Sequence, residues 1–405
     1  MTQNPRIAVV GGGMAAARFA ERYGALGGRG TVTVYGAEPR APYNRVLLAD
    51  VLTGRYDAES IALPLGGAEP RPGCEVVTFD PVARTLGLAD GTVEPWDELV
   101  LATGSNPVLP PVRGLRRPDG QGLAEGVHTL RTLDDCGRLA EEAVGAKRAV
   151  VIGGGVLGVS AARALAALGV RTEIVHQGPH LIERQLDREA AAVLRERLLA
   201  LGVECYPGNR ARAVHGGERV GAVELANGYR LDCDLVVLAC GTRPRTALAH
   251  VAGLPVGTGV LVDDGLATAA PHVYAIGDCA EHRGTVHGLA GPAWDQADVL
   301  ARRLSGADPD ATYSGTRPRA RLSTGDLEYA AFGAVDETLD PGLDVLRITD
   351  ATRGSYKKLV LRGDRLVGAI LLGDLATVDA LAGAFAEGGA LAGHPLHLLT
   401  RGELR

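Results

Sequence analysis

Two glycine-rich fingerprints, Gly11-Gly12-Gly13-Met14-Ala15-Ala16 and Gly153-Gly154-Gly155-Val156-Leu157-Gly158, stand 142 residues apart, counted from Gly11 to Gly153. Each follows a short β-branched run, residues 7–10 and 150–152, and each opens an alanine-rich stretch of helical character. A second apolar run follows each helix, at residues 31–35 and 172–175. Strand, glycine turn, helix and strand together make the βαβ unit that seats a pyrophosphate on a helix N-terminus. One such unit implies one dinucleotide. Two imply two, and the common reason to hold two is to pass electrons between them.

The spacing has a physical reading. Gly11 and Gly153 make the strand-to-helix turn, while Gly13 and Gly155 let phosphate oxygens approach the backbone. The third position needs a small residue so that helix and strand can pack, and Ala16 and Gly158 supply it. The N–H groups of Gly13-Met14 and Gly155-Val156 then face the anion, with Ala15 and Leu157 next in each first turn. Beyond the second strand the two units differ. Glu38, in Tyr35-Gly36-Ala37-Glu38, is placed to accept hydrogen bonds from a ribose. The other unit ends Val175-His176-Gln177, where an acid is expected. His176 either tolerates a 2′-phosphate or is an ordinary loop residue, so the choice between NADH and NADPH stays open.

A chain of 405 residues has room for two or three domains. Its net charge of −6 and lack of a long basic run argue against nucleic acid as a partner. No apolar segment reaches bilayer length, so no membrane role is expected. The first strand begins within a few residues of Met1, leaving no room for a signal peptide, and a cytoplasmic location is expected. Cysteines at 74, 136, 205, 233, 240 and 279 lie far apart with no C-x-x-C, so reduced thiols and no metal site are expected. Lysine occurs only at 147, 357 and 358, which reads as a coding bias in favour of arginine.

Along the chain, residues 1–112 and 241–315 read as one discontinuous dinucleotide domain and 113–240 as a second. Each contains a β-rich excursion and a closing strand, ending Thr103-Gly104-Ser105 in one and Cys240-Gly241-Thr242 in the other. Residues 316–405 read as a small C-terminal α+β domain. The fold class is α/β with two Rossmann-like dinucleotide-binding domains, an arrangement that resembles the glutathione-reductase kind.

These landmarks resemble the FAD-dependent pyridine nucleotide oxidoreductases over essentially the whole chain. Matching motifs are Val9-Val10-Gly11-x-Gly13-x-x-Ala16, Ala102-Thr103-Gly104, Gly153 to Gly158, and Val273-Tyr274-Ala275-Ile276-Gly277-Asp278. A closer likeness is carried by Pro42-Tyr43-Asn44-Arg45, Glu183-Arg184-Gln185-Leu186-Asp187 and Gly288-Leu289-Ala290-Gly291-Pro292-Ala293-Trp294. They look like the FAD/NAD(P)H portion of assimilatory nitrite reductase large subunits and the electron-transfer subunit of assimilatory nitrate reductase. The chain is more distantly similar to rubredoxin and ferredoxin reductases, whose interface domain resembles residues 356–360 and 366–374.

The resemblance implies an enzyme holding FAD on the first fingerprint and NAD(P)H on the second. Asp278 inherits contacts to the ribityl and phosphate region of FAD, Thr103 and Gly104 line the cofactor, and Arg45 lies near it. A helix beginning near Pro292 and Trp294 points at the flavin, although Trp294 has simple core packing as its other reading. Gly241 and Pro244 border the flavin–nicotinamide junction. His287 is either near the flavin or structural. Flavin chemistry needs no catalytic triad, and none is expected. The partner implied is a separate redox protein: a reductase subunit, a ferredoxin or a rubredoxin. Oligomeric state is not legible.

Three departures qualify this. The family's redox disulfide has no counterpart between Pro42 and Leu52, so disulfide reduction is not expected there. Asp50 and Ser160 stand where rubredoxin-reductase-like members carry a paired lysine and glutamate beside the nicotinamide. No cysteine follows Cys279, so nitrite reduction by this chain alone is not expected. Loss of the Lys/Glu pair keeps open a flavin-bound redox sensor with little turnover. An amine-hydroxylating monooxygenase is disfavoured, because FxGxxxHxxx[YF] does not occur between the fingerprints.

Overall fold

A computed structural model of the chain describes residues 4–117, 119–316, 319–324, 327–391 and 393–400; residues 317–318 and 401–405 of the expected C-terminal domain are among those outside the described residues. In chain order the principal strands are β1 (Arg6–Val10), β2 (Thr31–Gly36), β3 (Glu69–Pro72), β4 (Glu98–Leu101), β5 (Val127–Thr129), β6 (Arg148–Ile152), β7 (Arg171–His176), β8 (Val203–Pro207), β9 (Leu235–Leu238) and β10 (Val273–Ala275). The C-terminal strands are β11 (Arg319–Thr324), β12 (Leu327–Gly333), β13 (Asp344–Asp350), β14 (Ser355–Arg362) and β15 (Arg365–Leu372). The main helices are α1 (Met14–Ala25), α2 (Leu133–Ala143), α3 (Val156–Ala167), α4 (Arg188–Ala200), α5 (Ala290–Ser305) and α6 (Val378–Glu387).

The chain divides into two units. One comprises Met1–Leu48, Tyr56–Asn106 and Thr242–Thr316; the other comprises Ala49–Arg55, Pro107–Gly241 and Arg317–Arg405. The short segment at 49–55 and the C-terminal residues are therefore grouped with the second fingerprint.

In the first unit a parallel sheet runs β10-β4-β1-β2-β3. Alternation along β1 sorts its side chains between two layers. Ile7 and Val9 join a core with Phe19 of α1 and Leu300 of α5, while Ala8 and Val10 join Phe79, Leu86 and Trp96. The latter belong to or border an antiparallel excursion of strands Val76–Asp80, Thr85–Leu88 and Val93–Pro95. Each fully buried Ile or Val contributes about 1.5–3 kcal/mol, which makes β1 a strong organiser of this unit. A two-toothed bond from Arg18 to Asp298, at 2.7 and 2.9 Å, fixes α1 against α5.

The second unit repeats the plan. Its parallel sheet runs β8-β7-β6-β9-β5, so the closing strand again lies directly beside the fingerprint strand. The fifth strand differs: β10 comes late in the chain, whereas β5 precedes β6. The excursion here is Ala211–Gly216, Val220–Leu225 and Arg230–Asp232. The C-terminal residues form an antiparallel sheet, β11-β12-β15-β14-β13, on which α6 packs through Leu381 and Phe385.

One buried cation ties α4 to this sheet. The Asp187 carboxylate caps α4 by accepting from the Ala190 N–H at 2.8 Å. It also accepts from Tyr356 Oη at 2.7 Å and Lys358 Nζ at 2.8 Å. Lys358 has no solvent exposure, and its ammonium further reaches Glu337 Oε2 at 2.6 Å and the Val335 carbonyl at 2.7 Å. Three donors meet three acceptors, an arrangement a compact ammonium satisfies and a planar guanidinium does not. The separate motifs at 183–187 and 356–360 thus converge on one bond network.

Candidate functional site

Both fingerprints fold as tight strand-to-helix turns. Gly11 has φ +122° and Gly153 φ +117°, and a Cβ at either would lie within 2.2 Å of a carbonyl oxygen, Ala102 or Ala239, on the neighbouring closing strand's exit. The turn therefore sits at the point where sheet order reverses, the place where parallel α/β sheets bind ligands. A Cβ on Gly158 would fall 1.8 Å from the Gly153 carbonyl oxygen, so α3 rests directly on the turn. Gly13 and Gly155 have nothing within 4 Å of a Cβ position, which leaves open space at both helix starts.

Those helix starts are bare. The N-caps of α1 and α3 are Gly13 and Gly155, with no side-chain cap and no acid in the first turn. By contrast α2 carries a Thr132–Asp135 capping box, and α4 is capped by Asp187. Uncapped N–H groups at Met14-Ala15 and Val156-Leu157, with a dipole equivalent to about half a positive charge, fit an external pyrophosphate. Helix α5 likewise starts without a side-chain cap, at Leu289. Trp294 in its second turn is 38 % exposed, so core packing does not account for it.

In the first unit Glu38 and Arg45 come together. Arg45 Nη2 donates to Glu38 Oε1 at 2.5 Å, Tyr43 Oη donates to Glu38 Oε2 at 2.6 Å, and Arg45 lies 4.7 Å over the Tyr43 ring. The carboxylate keeps lone pairs for a ribose diol, because each oxygen accepts more than one bond. Asp278 Oδ2 accepts from Ser105 Oγ at 2.8 Å, which positions the carboxylate at the end of the loop holding Thr103 and Gly104. Thr103 itself is engaged structurally, donating to the Arg245 carbonyl at 2.8 Å, and Gly104 has φ +72°. Ala15 and Ala16 are buried in the α1 core, and His287 Nε2 lies 3.2 Å from Tyr313 Oη.

In the second unit His176 turns onto the fingerprint itself. Its Nδ1 accepts the Gly154 N–H at 3.2 Å, while the Gly154 carbonyl accepts the Ile182 N–H at 2.8 Å. Ile182 holds φ +51°, a conformation rare for a β-branched residue, to make this contact. A Cβ on Gly154 would meet Leu181 at 2.4 Å and His176 at 2.8 Å, so the middle glycine is crowded as Gly153 is, while Gly155 is not. Gly241 has φ +97° with open space around it, and its carbonyl accepts from the Val108 N–H at 2.9 Å.

Asp50 is 1 % exposed and accepts from Arg163 Nη2 of α3 at 3.2 Å, with Arg55 3.9 Å away. Ser160, one turn earlier on α3, folds its hydroxyl back onto the Val156 carbonyl at 2.8 Å. The segment at Asp50 is therefore ion-paired to the fingerprint helix through Arg163, while position 160 takes no part. Sequence reading missed Arg163, Ser105, Tyr43 and Gly154 as site-forming residues. Tyr43 and Gly154 lay inside quoted motifs, but Arg163 carried no local signal.

Burial pushes the thiols of Cys136 and Cys240 up to about 11 and those of Cys205 and Cys233 up to about 12. These groups stay protonated at neutral pH and are poor nucleophiles. Among the described residues no group of three or more His, Cys, Asp or Glu is placed to hold a metal ion. No helix among them is long and apolar enough to cross a membrane.

The family model for pyridine nucleotide-disulphide oxidoreductases matches residues 5–297. The chain belongs to that family. It is an oxidoreductase by descent, and residues 318–388 match the C-terminal domain of rubredoxin NAD+ reductase. The NAD(P)H nitrite reductase of Bacillus subtilis is 35 % identical over 91 % of this chain and 46 % of its own length. The electron transfer subunit of assimilatory nitrate reductase from the same organism is 32 % identical over 91 % of this chain and 48 % of its own. The chain thus spans about half the length of these two curated relatives. A ferredoxin reductase from Rhodopseudomonas palustris superposes with a TM-score of 0.83 at 27 % identity, covering 96 % of both chains.

Proposed function

We propose that this oxidoreductase holds FAD and NAD(P)H and passes electrons from the nicotinamide to a separate redox protein, in nitrate or nitrite assimilation. The observation that carries the reading is the pair of bare, glycine-started helices, α1 and α3, each at the switch point of its own parallel sheet. The Bacillus subtilis relatives support the pathway. Residues 1–112 and 241–315 bind FAD, 113–240 bind NAD(P)H, and 316–405 form the interface domain. The location is cytoplasmic.

In this reading Gly11, Gly13, Met14, Ala15 and Ala16 seat the FAD pyrophosphate. Glu38, steadied by Arg45 and Tyr43, accepts the adenosine ribose hydroxyls. Asp278 takes the ribityl side, with Thr103 and Gly104 supplying backbone. The start of α5 at Ala290, one turn before Trp294, would offer its positive end to the ring that becomes negative on reduction. Gly153, Gly155, Val156, Leu157 and Gly158 seat the nicotinamide dinucleotide, bordered by His176 and Gly241. Bound at the first fingerprint, flavin would supply hydride acceptance and one-electron release.

Anaerobic addition of NADH or NADPH to the flavin-loaded protein tests this. Bleaching of the flavin band, reversed by an added one-electron redox protein, is the expected result; an unbleached band with both nicotinamides overturns it. The likeness to a ferredoxin reductase over 96 % of both chains supports a ferredoxin as the acceptor in a second reading. Salt-dependent reduction of ferredoxin but not of a nitrate or nitrite reductase component would select it. The sensor reading rests on the loss of the Lys/Glu pair at Asp50 and Ser160, and very slow flavin bleaching by both nicotinamides would select it.

A further inference from the structure

We infer that Glu183, rather than the residue at the end of β7, reads the adenosine ribose at the second fingerprint and makes the site select NADH over NADPH. The inference rests on the reading of α3 as the nicotinamide dinucleotide site.

Parallel dinucleotide sheets place an acid at the end of the second strand, where its two oxygens accept the ribose hydroxyls. Here that position is His176, and its one acceptor is already occupied. Nδ1 is the acceptor for the Gly154 N–H, so the ring proton resides on Nε2. Burial keeps the imidazole below its ordinary range, in the neutral form. A neutral ring with its acceptor occupied keeps only the Nε2–H, a donor with no bond partner, so it lacks the paired acceptors a diol needs and brings no charge to a 2′-phosphate.

Nε2 instead turns toward Glu183, whose Oε2 lies 3.8 Å away. That carboxylate stands over the residues that follow β7: a Cβ on Gly178 would fall 1.8 Å from Glu183 Oε2 and 2.8 Å from His176 Nε2. The acid missing from the strand end is thereby returned to the same place from seven residues further along. Its position is held by the loop that holds the phosphate turn. Ile182, the preceding residue, is bonded to the Gly154 carbonyl, and Gln185 and Leu186 donate back to the Ile182 carbonyl at 2.9 and 3.0 Å. Asp187 then anchors the loop to α4 and Lys358.

The Glu183 side chain is 40 % exposed, and among the described residues no arginine or lysine is ion-paired with it. It is free to accept a diol, and it would face the added negative charge of a 2′-phosphate. Arg184, next in sequence, is an exposed cation that competes for the same phosphate, and His180 is the other basic group of the loop.

The test uses the flavin-loaded protein and two probes, ADP-ribose and its 2′-phosphate, with binding followed by calorimetry. Rates of flavin bleaching by NADH and NADPH are measured alongside. The expected result is a preference of at least about tenfold for ADP-ribose and for NADH, the size of one lost polar contact or more. Glu183→Gln should narrow that ratio by about tenfold, and Glu183→Arg should invert it, with unfolding unchanged for both exposed substitutions. A wild-type preference for the 2′-phosphate, an unchanged ratio in Glu183→Gln, or a ratio that moves only with Arg184→Gln would overturn the inference. Failure of both probes to bind, with no bleaching by either nicotinamide, would instead remove the dinucleotide reading of α3 and the inference with it.

Discussion

Arg163 on the second fingerprint helix donates to the buried carboxylate of Asp50 across 3.2 Å, and neither side chain has much water around it. Truncating one member strands the other. Arg163→Met should cost about 3 kcal/mol of stability, because an unpaired buried carboxylate remains with only the more distant, half-exposed Arg55. Asp50→Asn/Arg163→Met together should cost clearly less than the sum of the single changes. Urea unfolding of the four proteins in a double-mutant cycle measures the coupling; additive losses would show that the pair is not one unit.

The glycines of the second fingerprint should separate fold from binding. Gly155→Ala places its methyl in open space, so stability should change by less than about 1 kcal/mol while affinity for the dinucleotide falls sharply. Gly158→Ala drives a methyl to 1.8 Å from the Gly153 carbonyl oxygen and should destabilise this unit by about 1–3 kcal/mol. Paired thermal melts and calorimetric titrations distinguish the two effects.

His176 makes the fingerprint turn sensitive to acid. Burial lowers its pKa from the ordinary imidazole value, so the unfolded chain takes up the proton first as pH falls. The stability linked to neutral His176 is complete above the ordinary value of about 6.5 and is lost as pH drops below it toward the folded value. Protonation also sets an Nδ1–H against the Gly154 N–H. Hydrogen exchange at Gly154, corrected for intrinsic rate, should accelerate between neutral pH and about pH 5, and His176→Phe should abolish that dependence.

The Lys358 network also loses stability as pH falls, in the carboxylate range below that of His176. Burial raises Asp187, but the hydrogen bonds from Lys358, the Ala190 N–H and Tyr356 outweigh it and leave its pKa lowered. Glu337 is lowered in the same way, against its burial, by Lys358. The stability these carboxylates supply is present above their unfolded pKa and is lost as pH falls through the folded one. Lys358→Met should cost about 3–5 kcal/mol at pH 7 and flatten the acid limb of the stability curve. An acid limb as steep as the wild type's would show that the network does not set it.

The βαβ repeat was legible because its cause is local. A strand pattern, a glycine turn and an alanine-rich helix lie within thirty residues, and nothing distant is needed to form them. Asp278 was legible as part of a motif, yet the Ser105 hydroxyl that holds it sits 173 residues earlier in the chain. Arg163 was illegible for the same reason: on α3 it is one more arginine until Asp50, 113 residues earlier, is placed beside it. His176 could be named as an oddity where an acid is expected. Its bond to Gly154 depends on a loop that doubles back through a left-handed isoleucine, a geometry that no periodicity announces.

The burial of Lys357 and Lys358 has a practical consequence at the bench. With only three lysines in 405 residues, and two of them sealed in the C-terminal sheet, Lys147 is the one side-chain amine left facing solvent. Amine-reactive dyes and supports will therefore attach at that single site and the chain's amino terminus, giving a nearly uniform orientation on a sensor surface or electrode. Lysine-directed cross-linkers, for the same reason, will be almost blind to any complex the protein forms.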